Sequence, residues 1–286
     1  MLLAIQLAAG CNILIPPRTE EAPRELAVNE VAASFPAVAG TRDRWVAVGE
    51  DGAIGISEDG TKWTAAASGT RNFLRALAHD GKRWVVAGDD GAIVTSEDGT
   101  KWTAAAWGAR KNLWALAYDG KRWVAVGDDG AIGISEDGTK WTAAASGTGR
   151  GLWALAHDGR RWVAVGDGAI VTSEDGMKWT AAVSGTRTRL WTVAHDGKRW
   201  VAAGAGGAIV TSEDGTKWTA AASGTRNFLR AVAHDGKRWV VVGDDGAIRT
   251  SEDGTKWTAA ARAPAPVCGP WPTMASAGWR WGTVRS

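Results

Sequence analysis

Cysteine is nearly missing from this chain of 286 residues: there are two, Cys11 and Cys268, both outside its repeated part, so no disulfide framework holds the fold. Neither charge is in excess, with 33 Lys plus Arg against 31 Asp plus Glu. The basic residues sit one or two per phrase beside acidic ones, as in GKRW and EDGTKW, instead of forming the basic stripe of a nucleic-acid binder. No nucleic-acid partner is expected. No apolar run is long enough to cross a bilayer. No helical stripe appears between Phe35 and Ala261, which excludes the helical repeat arrays of similar period.

Glycine and tryptophan, in contrast, are abundant, at 38 and 19 residues. Tryptophan falls at two fixed places in a repeat. In the phrase SEDGxxW it stands at Trp63, Trp102, Trp141, Trp179, Trp218 and Trp257, in steps of 39, 39, 38, 39 and 39. In the phrase RWV it stands at Trp45, Trp84, Trp123, Trp162, Trp200 and Trp239, with the same period. One unit, LWALAHDGRRWVAVGDGAIVTSEDGMKWTAA from Leu152, divides at its glycines into four short runs rich in Trp, Val, Ile, Thr and Ala. Each is too short for a helix, and the DG dipeptides between them suit tight turns because glycine accepts positive φ. The unit reads as a four-stranded antiparallel meander. Such a sheet cannot bury both faces alone, and radial stacking into a β-propeller lets each sheet cover the next. The expected fold is all-β: a propeller of six four-stranded blades over residues 35–261, with a partial seventh left open.

The phrase S-x-D-G-x-x-W resembles the Asp-box of BNR-repeat propellers, which include the sialidases, with one residue fewer between Ser and Trp than the commonest form. The longer pattern RWVAVGDDGAIxxSEDGxxW is more similar to the BNR-like propellers that include the photosystem II stability and assembly factor than to catalytic sialidases. The resemblance implies that the box forms the turn between the third and fourth strands of each blade. It makes Ser57, Asp59 and Trp63, Ser96, Asp98 and Trp102, Ser135, Asp137 and Trp141, Ser173, Asp175 and Trp179, Ser212, Asp214 and Trp218, and Ser251, Asp253 and Trp257 structural residues. Physically, the Asp and Ser side chains accept hydrogen bonds from turn N–H groups and the indole covers the turn.

Outside the repeats, MLLAIQLAAGC places an apolar run with small residues before Cys11, similar to a bacterial lipoprotein signal, although no Lys or Arg precedes it. The expectation is a signal or lipobox-like segment at 1–11 with lipid on Cys11, a Pro- and charge-rich linker at 12–34, and an exported protein of the cell envelope, periplasmic or surface-bound; export without lipid and a cytoplasmic protein are the alternatives. After Ala261 the composition changes. In the tail 262–286, GWRWGTV echoes GKRWVVV, with Trp281 lying 42 residues beyond Trp239. That tail reads as an eroded seventh blade, an added outer strand or a frameshifted end.

With this strand order, the Asp-box turns and the AHDG turns share one face. The other face receives the loops between blades and the DDG loops, and in the families resembled it is the usual ligand side. Arg71, Arg110, Arg150, Arg187 and Arg226 recur there at nearly equivalent places and would ring the central opening. Such a ring suits an acidic peptide, an anionic glycan or a chain terminus; the alternative is that each Arg pairs with an Asp of a neighbouring loop. At the start of the innermost strand the units carry Pro36, Arg75, Trp114, Trp153, Trp191 and Arg230. The three tryptophans would form an aromatic sector for sugar or proline-rich peptide, or else simply pack between blades. His79, His157, His195 and His234 are spread over four blades with Tyr118 in the same slot, and the DDG loops lack an EF-hand pattern, so neither metal nor cofactor is expected. Sialidases use a Tyr nucleophile with a Glu partner, three arginines and an Asp acid/base. Here the single tyrosine, Tyr118, falls on the Asp-box face. Catalysis needs a few unlike groups at one point, and these units are nearly identical. The expectation is a monomeric, non-catalytic platform that binds a protein or peptide. A carbohydrate-binding or degenerate glycoside-hydrolase-like propeller is the alternative, and a structural surface repeat a third reading.

Overall fold

A computed structural model describes residues 3–7, 11–15, 35–105 and 107–260. The repeat folds as six four-stranded antiparallel sheets, each with its strands in chain order. The chain is an all-β, six-bladed propeller. The third blade shows the pattern: Leu113–Tyr118, Trp123–Gly127, Ile132–Ser135 and Thr142–Ala144. Its register pairs Tyr118 with Trp123, Trp123 with Ser135, and Ile132 with Ala144. The fourth strand is shorter than the sequence suggests, because the Asp-box Trp belongs to the turn and pairing begins at the following Thr.

The first strands, Ala37–Gly40, Leu74–His79, Leu113–Tyr118, Leu152–His157, Leu190–His195 and Leu229–His234, form the inner wall, each beside the next. Apolar cores fill the seams between consecutive blades. Val124, Val126 and Ile132 of blade 3 meet Leu152, Leu155 and Trp162 of blade 4, and the same set recurs between blades 1 and 2, 2 and 3, 4 and 5, and 5 and 6. Trp123, Trp162, Trp200 and Trp239 are fully buried there. Removing 150–250 Å² of indole surface from water contributes about 4–6 kcal/mol gross per residue before chain entropy opposes it. A short antiparallel hairpin, Leu3–Leu7 with Cys11–Ile15, lies along this wall: its first strand runs beside the inner strands of blades 5 and 6, its second beside that of blade 1. Beyond Ile15 the expected linker lies outside the described residues, as does the tail 262–286.

One irregularity recurs. In blades 2 to 6 the register of the inner strand shifts after its first residue, between Leu74 and Ala76, Leu113 and Ala115, Leu152 and Ala154, Leu190 and Thr192, and Leu229 and Ala231. The skipped residue is Arg75, Trp114, Trp153, Trp191 or Arg230. A bulge leaves that residue unpaired in the ladder and re-aims its side chain. Its neighbours on both sides are buried while it is only half-buried.

Candidate binding face

The two ends of the ring are built differently. At one end, the Asp-box turns are closed on themselves. Ser96 donates to Asp98 Oδ1 at 3.0 Å and accepts from the Gly99 N–H at 2.8 Å, Asp98 Oδ1 takes the N–H groups of Thr100 and Lys101, and Trp102 Nε1 donates to the Gly99 carbonyl. Those N–H groups, Lys101 first, hold the Asp98 carboxyl well below its ordinary range. The AHDG turns lie at this end too. His79, His157 and His195 stack on Trp84, Trp162 and Trp200 at 4.4–4.6 Å, and burial lowers their pKa. Tyr118 stacks on Trp123 in the same slot.

At the other end lie the DDG loops and the SGT loops between blades. Each DDG loop is one turn of 3-10 helix whose second residue, such as Asp90 at φ 51°, sits in the left-handed region. Asp and Asn tolerate that region better than other non-glycine residues, which explains an acidic pair here. In blades 2, 3, 4 and 6 the first acid of the loop points at the bulged residue of its own blade. Asp89 takes a bidentate ion pair from Arg75, with Nη2 to Oδ2 at 2.8 Å. Asp128 accepts Trp114 Nε1 at 2.6 Å, Asp167 accepts Trp153 Nε1 at 3.1 Å, and Asp244 accepts both Nε and Nη2 of Arg230 at 2.9 Å. Held in this way, the side chains reach from blade to blade. The Arg75 guanidinium lies 4.1 Å from the centre of the Trp114 ring and 4.2 Å from Phe73. Trp114 and Trp153 meet at 4.8 Å. Arg189 covers Trp153 at 5.5 Å and pairs with Asp167, while Arg230 covers Trp191 at 4.4 Å and Phe228 packs edge-on against Trp191 at 5.1 Å. The result is an arc of interleaved cations and aromatic rings, with two ring–ring contacts, across blades 2 to 6, with Pro36 buried at the matching place in blade 1.

The five arginines singled out from the sequence stand outside this arc. Arg71, Arg110, Arg150, Arg187 and Arg226 are all exposed. Arg150 Nη1 donates to the Asp167 carbonyl at 2.9 Å; the other four make no hydrogen bond or ion pair with any described residue. The Arg–Asp pairs of this face use Arg75, Arg189 and Arg230 instead. Depressions of about 500 and 450 Å³ lie beside Arg226 and Arg71, at matching places near Ser223 and Ser68.

Sequence reasoning missed Arg189, Phe73 and Phe228, the residues just before the inner strands, and the anchoring role of Asp89, Asp128, Asp167 and Asp244. Spacing offers a signal for the anchors: each acid lies 14 residues beyond the Arg or Trp it holds. Blade 5 breaks the pattern. Its loop is Ala205–Gly207, without an acid, so the Trp191 N–H has no hydrogen bond to a described residue, and Arg189 reaches back to Asp167 of blade 4. Blade 4 carries one loop acid where blades 1, 2, 3 and 6 carry two. The face is therefore richest in unmatched positive charge around Arg150, Arg187 and Arg189. Among the described residues no group of three or more His, Cys, Asp or Glu could hold a metal ion.

The sequence matches no family model and no curated protein. Solved structures do match. One, YCF48 bound to D1 peptide, superposes with a TM-score of 0.63 at 18% identity, over 85% of this chain and 86% of that one. The chain is similar to YCF48. A second structure, YCF48 from Cyanidioschyzon merolae, gives a TM-score of 0.61 at 17% identity over 81% of this chain and 87% of that one. The computationally designed Ika8 protein gives 0.69 at 16% identity over 88% and 84%. YCF48 is the kind of propeller that the RWVAVGDDGAIxxSEDGxxW pattern resembles, and at these identities the likeness is one of fold.

Proposed function

We propose that this chain is a non-catalytic binding platform whose loop face takes a protein or peptide. The observation that carries the reading is the cation–aromatic arc, built on bulges that withdraw one residue per blade from the interblade core, with a fringe of exposed arginines outside it. Bulges next to binding sites commonly re-aim a side chain in this way. Arg and Trp are also the residues enriched where peptides dock. A YCF48 structure holding a D1 peptide supports a peptide as the ligand class for this fold.

The occupied ring faces argue against sugar stacking as the first reading. Guanidinium groups, held by Asp89 and Asp244, cover Trp114 and Trp191 at 4.1 and 4.4 Å, so a sugar would have to displace them, whereas a peptide carboxylate has the exposed Arg187 beside the arc to bind. The protein acts as a monomer, exported to the bacterial envelope and tethered by lipid at Cys11, a step that would remove the segment before Cys11 and with it the first strand of the hairpin; incorporation of labelled fatty acid, lost in Cys11→Ser, tests the anchor.

The test of the function is titration with acidic and proline-rich peptides followed by tryptophan fluorescence, alongside a glycan array. Binding of an acidic peptide that weakens at least about tenfold in Arg187→Ala and Trp191→Ala, with unchanged melting, is expected. Selective sugar binding lost in Trp153→Ala, without peptide binding, overturns it.

A further inference from the structure

Six blades in a closed ring have six seams, yet the described residues form five apolar cores, and none joins blade 6 to blade 1. The face of blade 6 that would meet a following blade is correspondingly bare. Val242 is 38% exposed, whereas Ala87, Val126, Val165 and Ala203 at the same place in blades 2 to 5 are fully buried. Val240 and Ile248, whose counterparts in those four blades are at most 2% exposed, are only half-buried. Across the seam Trp45 of blade 1 is half-buried where every equivalent Trp is at most 2% exposed. The hairpin of Leu3–Leu7 and Cys11–Ile15 passes the inner edge of this seam and leaves the outer part of the blade 6 face uncovered.

We propose that the segment 271–284 of this same chain covers that face as the two leading strands of a seventh, incomplete blade. Its sequence carries the argument. WPTMASAGWRW at 271–281 aligns without a gap on LRAVAHDGKRW at 229–239, with Ala275, Gly278, Arg280 and Trp281 identical to Ala233, Gly236, Arg238 and Trp239. The residues of blade 6 that cover Val201, Ala203 and Ile209 of blade 5 are Leu229, Val232 and Trp239. At the matching places the segment offers Trp271, Met274 and Trp281, all large and apolar. The connection is long enough: 11 residues separate Ala259, the end of the last strand, from Trp271, against 7 between Ala221 and Leu229. The charge fits as well, since the face is uncharged at Val240, Val242 and Ile248, and the segment carries its only charge at Arg280, the place of Arg238. An apolar face of this kind is an association surface unless something covers it.

The test uses the full chain with Cys11→Ser and Cys268→Ser as background. A single Val242→Cys should react with a maleimide at least about tenfold more slowly than Met177→Cys, whose site is 54% exposed on the Asp-box end. The pair Val242→Cys with Met274→Cys should close an intramolecular disulfide in a monomer. Removing residues 271–286 should restore full reactivity at position 242; if that truncation fails to fold, Trp281→Ala in the intact chain should raise the rate instead. Reactivity at position 242 equal to that at 177 in the intact chain would show the face open and overturn the proposal. So would protection that grows with protein concentration and yields only intermolecular disulfides, which would mean that a second copy covers it. Neither result bears on peptide binding at the loop face.

Discussion

Gly138 and Gly147 separate two reasons for glycine in this repeat. Both have positive φ, +75° and +71°. A Cβ at Gly147 would meet nothing nearer than the Trp179 carbonyl at 3.9 Å. One at Gly138, in the Asp-box of blade 3, would lie 3.0 Å from Val85 Cγ2, 3.1 Å from Arg83 Cδ and 3.3 Å from Trp123 Nε1. Val85 belongs to blade 2, so the clash falls in the seam. Gly147→Ala should therefore cost only the left-handed backbone, about 1–2 kcal/mol. Gly138→Ala should add overpacking of about 1–3 kcal/mol. For a domain of this size that difference is roughly 3–10 °C in Tm. Thermal melts of the two variants side by side, followed by tryptophan fluorescence, measure it. Equal losses would refute the claim that the Asp-box glycine is held by the neighbouring blade as well as by its own turn.

Acid should act in two stages. In His79, His157 and His195 the Nδ1 accepts the N–H of Gly81, Gly159 or Gly197 at 3.1 Å, and burial lowers the pKa below the ordinary 6.5. The unfolded chain takes up the proton first, so the stability these groups contribute is complete above about 6.5 and falls as pH drops below it. A urea midpoint lower at pH 5 than at pH 7, and less so in the triple His→Gln variant, checks this. The Asp-box carboxyls, also held low, keep their contribution until pH falls below about 3.8, so a second decline is expected there. The Arg83–Glu97 and Arg161–Glu174 pairs have 2.8 and 2.6 Å contacts, but Glu97 and Glu174 are nearly 80% exposed. Glu97→Gln and Glu174→Gln should each change stability by less than about 1 kcal/mol in denaturant titration. Asp167→Asn keeps the size of the acid that holds Trp153 and Arg189 but removes its charge. It should lower stability by about 1 kcal/mol and tighten binding of an acidic peptide, with weaker binding the result against the reading.

The fold is legible in the sequence because it depends on what repeats. Two tryptophans per unit at one period, with DG turns between short apolar runs, demand sheets that cover one another, and the sheets form where those runs lie. The arc is less legible. Position 75 and its equivalents stand out by varying, but nothing local announces the bulge, which arises from the mismatch between the first residue of the inner strand and the glycine closing the second. Arg189 is harder still, since Phe73, Asn112, Gly151 and Phe228 occupy its place elsewhere. It acquires a role only because blade 5 has no loop acid and the Asp167 carboxylate lies within its reach across the seam. Pairings that cross a seam depend on how neighbouring blades are rotated, and one unit's sequence does not encode that.

The distribution of differences among blades also says where function can lie. Stacking demands sameness, and the SED, RWV and GAI phrases are nearly uniform. Departures gather at the loop face: the bulged residue, the residue two before it, and the acids of the DDG loop. If those positions are free of the architectural demand, blade 5's set should be portable. Asn112→Arg with Asp128→Ala and Asp129→Gly would give blade 3 the Arg, Trp and acid-free loop of blade 5. The structural loss is the 2.6 Å bond from Trp114 and the 3.0 Å bond from Asn112 to Asp128, the 3.0 Å bond from the Asp90 N–H to Asn112 Oδ1, and the exposed Lys111–Asp129 pair, together about 2–5 kcal/mol. The fold should survive, and the positive region should extend to a second sector. Acidic peptide binding should then rise in affinity or stoichiometry in calorimetry. A variant that melts as expected but binds no differently would show that these substitutions are drift on a solvated rim, and that the site lies elsewhere.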